Sequence, residues 1–382
     1  MKNIFASALR RTSRLMRPAK LGTTARSVQK MMTGLMRASL PAAAKPKTAK
    51  QRKAALSKVG HSKAGQSLGT VMKQLRDVQS LMPVAVGRTK RQEVSPSTPK
   101  GAQFVSRTHR SAAGSRGYKL YLPASQPKRP RGLILMLHGC TQTPDDFATG
   151  TRMNALAEKH GFAVAYPAQT ASHNTASCWN WFKPGDQQRG AGEPALLASL
   201  TRKLMKDFGL GRDVVFVAGL SAGGAMAATL ADVYPDIFSA AGVHSGLARG
   251  SARDVLSAML AMRNGAASGH VATVALPSDP VRRIVFQGDA DNTVHPSNAA
   301  VIVAAAVGGH AKPAKVIKRV VRGRRYSRNE FTAADGAVVL ELWMIEGAGH
   351  AWSGGRVAGS FTDAKGPDAS AQMIRFFLAQ PN

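Results

Sequence analysis

With 382 residues, 44% of them apolar, the chain has room for one large domain or two smaller ones and enough apolar side chain for a sizeable core. The formal net charge of +32 is uneven: residues 1–100 carry 22 Lys and Arg against only Asp77 and Glu93, whereas residues 101–382 hold 31 basic and 19 acidic residues. No run approaches the roughly 20 apolar residues of a membrane span, and two cysteines without a CxxC exclude a four-thiolate zinc site.

At the N-terminus, Ile4, Phe5, Ala8 and Leu9 are followed at once by Arg10, Arg11 and Arg14. Those arginines fall where a secretory signal keeps its apolar stretch, so a standard signal peptide is not expected; an organelle transit peptide or a misplaced start codon would produce the same composition. Residues 1–100 are rich in Pro, Ser, Lys and Ala and contain one aromatic, Phe5. That composition predicts a basic, largely disordered region without a core of its own. Within it, Pro41 to Lys53 reads as a linker, Val71 to Met82 as a short amphipathic helix, and Arg88 to Gly101 as a connector.

From Phe104 the character changes, and residues 101–382 read as one catalytic domain. Tyr118 to Leu122 alternates as an edge strand does, and Leu133 to Leu137 is a continuous apolar run, as in a strand buried on both faces. A helix over Thr151 to His160, a strand over Phe162 to Tyr166 and a helix over Ala195 to Phe208 follow. Asp213 to Ala218 reads as a strand and Ala222 to Tyr234 as a helix. Further strands are expected over Arg283 to Gln287 and Val338 to Ile345, with helices near Asn298 to Val307 and Asp368 to Leu378, and Asp335-Gly336 is a local hairpin signal. Strands alternating with helices predict an α/β fold, a mostly parallel central sheet covered by helices on both faces.

Gly219-Leu220-Ser221-Ala222-Gly223 joins an apolar strand to a helix of small residues. A serine on such a turn presents its hydroxyl outward, the arrangement of a hydrolase nucleophile elbow. The N–H of Ala222 then stands at a helix start, where it can hold a developing oxyanion. In this architecture the acid and the histidine follow the serine in the chain. Asp289 and Asp291 leave the strand that ends near Gln287; Asp291 lies further from the strand and is the favoured acid, with Asp289 a solvated turn residue. Of His295, His310 and His350, the first is too close to the acid, and the second lies in a Gly/Ala/Lys loop. His350 sits in the glycine-flanked loop after the last long strand and is the expected base. The chemistry expected of the three is attack of Ser221 on an ester carbonyl, with His350 taking the proton and Asp291 orienting the imidazole, through an acyl-serine. The second oxyanion donor is expected in His138-Gly139-Cys140-Thr141-Gln142, at the backbone N–H of Cys140, with His138 structural. Cys140 and Cys178 are either two buried thiols or one disulfide; a disulfide would tie this turn to the aromatic loop Cys178-Trp179-Asn180-Trp181-Phe182.

Together, Leu137 to Gln142, Tyr166 to Gln169, Cys178 to Trp181, Gly219 to Gly224, Gly288 to Val294 and Gly349 to Trp352 resemble the catalytic domain of the polyhydroxybutyrate depolymerase family, which includes feruloyl and acetylxylan esterases. The resemblance spans about residues 104–382. It implies an α/β-hydrolase fold, hydrolysis of short-chain hydroxyalkanoate or related acyl esters, and a Ser221, Asp291 and His350 triad. The family is usually extracellular, whereas the N-terminal residues, which do not read as a standard signal peptide, leave an intracellular location open. Feruloyl or acetylxylan ester hydrolysis is the alternative reading, because these motifs encode acyl transfer and not the leaving group. Trp179, Trp181 and Trp352, with Phe182, are candidates either to line an apolar acyl channel or to pack the core. No metal or organic cofactor is implied. The basic residues 1–100 read as a solvated tail or as an attachment to an anionic surface. Specific nucleic-acid recognition is disfavoured by the lack of aromatics, although a polyanion-binding protein with an inactive hydrolase domain is the reading from a different class. Lys318, Arg319, Arg322, Arg324 and Arg325 are expected to form a solvated face.

Overall fold

In the computed structural model, residues 95–265, 280–308 and 311–379 are described. The expectations for the basic N-terminal region, and His310, lie outside them. The strands are β1 (Gln103–Ser111), β2 (Gly114–Leu122), β3 (Gly132–Leu137), β4 (Phe162–Pro167), β5 (Val215–Leu220), β6 (Ala240–His244), β7 (Arg282–Gly288), β8 (Lys315–Val321), β9 (Arg324–Thr332) and β10 (Val338–Ile345), with a small pair β11 (Trp352–Ser353) and β12 (Thr362–Asp363). The helices are α1 (Pro144–Thr151), α2 (Met153–His160), α3 (Gly192–Phe208), α4 (Ala222–Val233), α5 (Val255–Asn264), α6 (Ser297–Val307) and α7 (Ala369–Leu378).

Among the described residues one ten-stranded sheet has the order β1-β2-β4-β3-β5-β6-β7-β10-β9-β8. Its middle, from β4 through β3, β5, β6 and β7 to β10, is parallel, and the outer strands β1, β2, β9 and β8 pair antiparallel. The apolar runs are explained by burial on both faces. Leu133, Leu135 and Leu137 of β3 pack with Leu197, Leu200 and Leu204 of α3 and with Met226 and Leu230 of α4. The alternate residues Ile134 and Met136 pack in a second core with Phe147 of α1, Met153 of α2, and Met373 and Phe377 of α7. Either core alone would leave half of each strand in water.

Two expectations are corrected. Tyr118 to Leu122 is not at the edge, because β1 pairs along the whole of β2, Gln103 opposite Leu122 to Ser111 opposite Gly114. The helix expected over Thr151 to His160 is two helices, α1 and α2, broken at Arg152, whose φ of 56° cannot continue a right-handed turn. The Asp335-Gly336 signal is the turn joining β9 to β10.

Parallel strands bring their C-terminal ends to one edge, where ligands of open α/β sheets bind. Leu137 pairs beside Gly219, Leu220 beside His244, His244 beside Phe286, and Gly288 beside Ile345. The segments carrying Cys140, Ser221, Asp291 and His350 all leave the sheet along this edge.

Candidate active site

Ser221 occupies the junction between β5 and α4 with φ 57° and ψ −120°, a conformation that stores strain in a residue with a side chain. Packing holds it there. A Cβ on Gly223 would stand 2.1 Å from the Leu137 carbonyl oxygen, and one on Gly219 would stand 2.3 Å from the Gly223 carbonyl. Glycine at both positions therefore lets the turn close against β3. The Ser221 N–H donates to the His244 carbonyl at 2.9 Å, and Ala222 begins the helix, so its N–H has no partner within the helix.

The turn after β3 lies beside the serine: a Cβ on Gly139 would be 3.6 Å from Ser221 Cβ. Cys140 and Cys178 form a disulfide with Cα atoms 4.2 Å apart. The Thr141 N–H donates to the Ala176 carbonyl at 2.9 Å, so the turn and the aromatic loop are joined by backbone as well as by sulfur. His138 is fully buried and structural. Burial pushes its imidazole down to about 4, which keeps it neutral. Its Nε2 accepts from the Gln169 N–H at 3.0 Å, leaving Nδ1–H to donate to the Gly139 carbonyl at 2.7 Å. The Trp179 indole N–H donates to the His138 carbonyl at 3.0 Å. Beneath lies a buried polar cluster in which Arg116 and Gln169 meet Glu193, and Glu193 accepts from the Asn180 N–H at 2.7 Å. This cluster explains why the motifs around residues 166–169 and 178–181 accompany the turn.

Sequence reasoning missed Gln142. Its Oε1 accepts the Gly139 N–H at 2.9 Å, and its Nε2 donates to Asp146 at 3.0 Å and to the Ser360 carbonyl at 3.1 Å. The Gly139 N–H is thereby occupied, whereas the Cys140 N–H makes no hydrogen bond among the described residues. The position three after Gly139 was the available signal.

Asp291 and His350 are brought together: His350 Nδ1 lies 2.8 Å from Asp291 Oδ2. The other carboxylate oxygen accepts the N–H groups of Thr293 and Val294, both at 2.9 Å. Burial would raise the Asp291 carboxyl, but the His350 contact and these backbone donors outweigh it and leave it below the ordinary carboxylate range. Asp289 is exposed and accepts from the Gly347 N–H at 2.6 Å, bracing the start of the His350 loop. His295 is also exposed, beside Ser297 at the start of α6. Among the described residues, Ser221 Oγ and His350 Nε2 have no hydrogen-bond partner, so of the two links of the expected chain the one between Ser221 and His350 is not made in this structure. Such contacts commonly tighten only when substrate is bound.

All three candidate tryptophans are buried, Trp181 in the same core cluster as Trp179. Trp179 and Trp352 are 0% and 1% exposed and pack the cores, Trp352 donating its indole N–H to Ser370 at 3.0 Å. Trp181, set edge-on to half-buried Phe182, is 6% exposed. Of the basic hairpin residues, Lys318, Arg319, Arg322 and Arg325 are exposed as expected; Arg324 is half-buried, paired with Asp363 at 2.8 Å and bonded to the Gly347 carbonyl. Among the described residues no cluster of three or more His, Cys, Asp or Glu is arranged to hold a metal ion, and no helix is long and apolar enough to cross a membrane.

A parallel sheet with a serine elbow at its C-terminal edge defines an α/β-hydrolase fold. The family model for the esterase PHB depolymerases matches residues 116–318, and the chain belongs to that family. The match includes Cys140, Ser221 and Asp291 and ends before His350. Poly(3-hydroxyalkanoate) depolymerase C of Paucimonas lemoignei is 32% identical over 239 residues, which is 60% of this chain and 56% of that protein. A probable acetylxylan esterase A of Aspergillus clavatus is 31% identical over 196 residues, 48% of this chain and 62% of that protein. The chain thus spans somewhat over half the length of these curated relatives. Among solved structures, an acetyl xylan esterase from Aspergillus awamori superposes with a TM-score of 0.54 at 22% identity, covering 65% of this chain and 93% of that one, a likeness of fold.

Proposed function

We propose that the protein hydrolyses short-chain hydroxyalkanoate esters or related acyl esters through Ser221, His350 and Asp291. The observation that carries this reading is the Asp291–His350 bond at 2.8 Å on the same sheet edge as a serine held at φ 57°. In the proposed reaction His350 removes the Ser221 hydroxyl proton as the oxygen attacks the ester carbonyl. The tetrahedral oxyanion is held by the N–H groups of Cys140 and Ala222. His350 then gives its proton to the leaving alkoxide as the acyl-serine forms, and water, activated by the same imidazole, releases the acid. Asp291 keeps Nδ1 protonated, so that Nε2 is the free base. Trp181 and Phe182, on the loop tied to the Cys140 turn, are assigned the acyl contact.

The acetylxylan esterase relative favours a second substrate reading, an acetylated polysaccharide. Hydroxybutyrate oligomers, methyl ferulate and acetylated xylan, assayed in parallel with p-nitrophenyl butyrate, separate the two readings. Highest kcat/KM on the oligomers supports the first, and highest kcat/KM on xylan replaces it. Ser221→Ala is expected to lower kcat on every ester by about 10⁴-fold or more. Full hydrolysis by that variant would overturn the proposed mechanism.

A further inference from the structure

His244 ends β6, next to the nucleophile strand, and is 1% exposed. Its backbone and its side chain serve different halves of the site. The backbone carbonyl accepts the Ser221 N–H at 2.9 Å. The imidazole Nε2 accepts the N–H of Ser353 at 3.0 Å, three residues beyond His350. The ring also stacks on Trp352 at 5.2 Å and on Phe286 of β7 at 5.7 Å. Nδ1 lies 3.2 Å from the Ser245 hydroxyl, so a single neutral tautomer, with the proton on Nδ1, satisfies both nitrogens.

The His350 loop needs such an anchor. Its first stem leaves β10 and is held through Gly347 by Asp289 and Arg324. Its second stem is β11, a strand of two residues, Trp352 and Ser353, paired with the equally short β12. Both residues of β11 contact the His244 ring, one by stacking and one by hydrogen bond.

We infer that His244 is a positioning residue of this site: its carbonyl fixes the Ser221 backbone and its Nε2 fixes the second stem of the His350 loop, so one residue sets the spacing between nucleophile and base. The inference rests on the assignment of Ser221 and His350 proposed above. The charged groups that act on the ring through space are His350 and Asp291. The His244 carbonyl is present in every variant, so side-chain substitution isolates the base-loop half of the arrangement.

Three variants separate the parts. His244→Phe keeps a ring to stack and removes the acceptor; His244→Asn withdraws the acceptor by one carbon; His244→Gln returns an amide oxygen to a similar reach. Each is assayed on p-nitrophenyl butyrate, with turnover expressed per active site titrated by a fluorophosphonate. Because misplacement by an ångström weakens catalysis strongly, kcat is expected to fall about tenfold or more in the Phe and Asn variants, with KM within about threefold of wild type. The Gln variant is expected to recover kcat to within about threefold of wild type. A purely structural role would instead reduce the titratable fraction and the melting temperature while leaving turnover per titrated site unchanged. Unchanged turnover per site in either acceptor-deficient variant that folds overturns the inference, and so does a Gln variant as slow as the Phe variant. Ser221→Ala is run alongside: an active Ser221→Ala enzyme removes the triad assignment, whereas an inactive one with fast His244 variants removes only the role of His244.

Discussion

Replacing both Cys140 and Cys178 by alanine removes a cross-link between residues 38 apart while keeping the Cys140-position N–H that is assigned to the oxyanion. For a closed loop of that size, chain entropy gives about 4 kcal/mol of stabilisation at 25 °C. That is a large share of the roughly 5–15 kcal/mol by which domains are stable. At about 2 °C per kcal/mol for a domain of this size, the melting temperature falls by about 8 °C. The catalytic consequence is smaller. The Thr141–Ala176 and Trp179–His138 hydrogen bonds and the Gln142 brace still hold the turn. Complete loss of one oxyanion donor costs about 10²–10³ in kcat, so a donor merely loosened costs about tenfold or less. Urea unfolding followed by tryptophan fluorescence, with p-nitrophenyl butyrate hydrolysis at 25 °C, reads both quantities. An unchanged urea midpoint in the double variant refutes the stability argument. A kcat loss of 10²-fold or more refutes the claim that the remaining bonds position the donor.

Acidification tests the two buried histidines. Burial holds His138 and His244 neutral, down to about 4 and about 3, with the nearby His350 lowering His244 further. In the unfolded chain both take up protons as pH falls through about 6.5, so their contribution is complete above that pH and is lost below it at about 1.4 kcal/mol per unit each. Urea unfolding at pH 7 and pH 5 is expected to differ by about 4 kcal/mol, and equal stabilities at the two pH values would contradict the neutral, buried assignment. Gly223→Ala forces a methyl group into the Leu137 carbonyl and is expected to cost about 3 kcal/mol or more, read as loss of soluble protein or of melting temperature. Gln142→Ala frees the Gly139 N–H and unties the turn from Asp146 and Ser360; kcat is expected to fall about tenfold with little change in KM, and an unchanged kcat would deny Gln142 its bracing role.

Much of the sheet was legible because a strand buried on both faces has to be apolar at every position. The run Leu133 to Leu137 and the run Phe162 to Tyr166 became β3 and β4 almost unchanged. The strand β6 was not legible: Ala240-Ala241-Gly242 are small because Met373 of α7 packs against Gly242, and small residues carry no strand pattern. Missing β6 meant missing His244. The helix α5 was also missed; its exposed Leu256 and Leu260 blur the amphipathic period, although the Asp254–Ser257 capping box marks its start. At the site, distance from the strand favoured Asp291 over Asp289, and Asp291 is the carboxylate that meets His350. The tryptophans were ambiguous because a large aromatic ring serves a core and a binding wall equally well. Only the packing of Trp352 between Phe147 and His244 places that ring inside.

The proposed acyl-enzyme at Ser221 is most directly tested by trapping it. Incubation of the full chain with a fluorophosphonate, followed by peptide mass spectrometry, should find one phosphonyl adduct, on Ser221, in step with loss of p-nitrophenyl butyrate hydrolysis, and His350→Ala should slow labelling by about 10³-fold or more. Labelling at another residue, or full inactivation without an adduct on Ser221, would contradict the account.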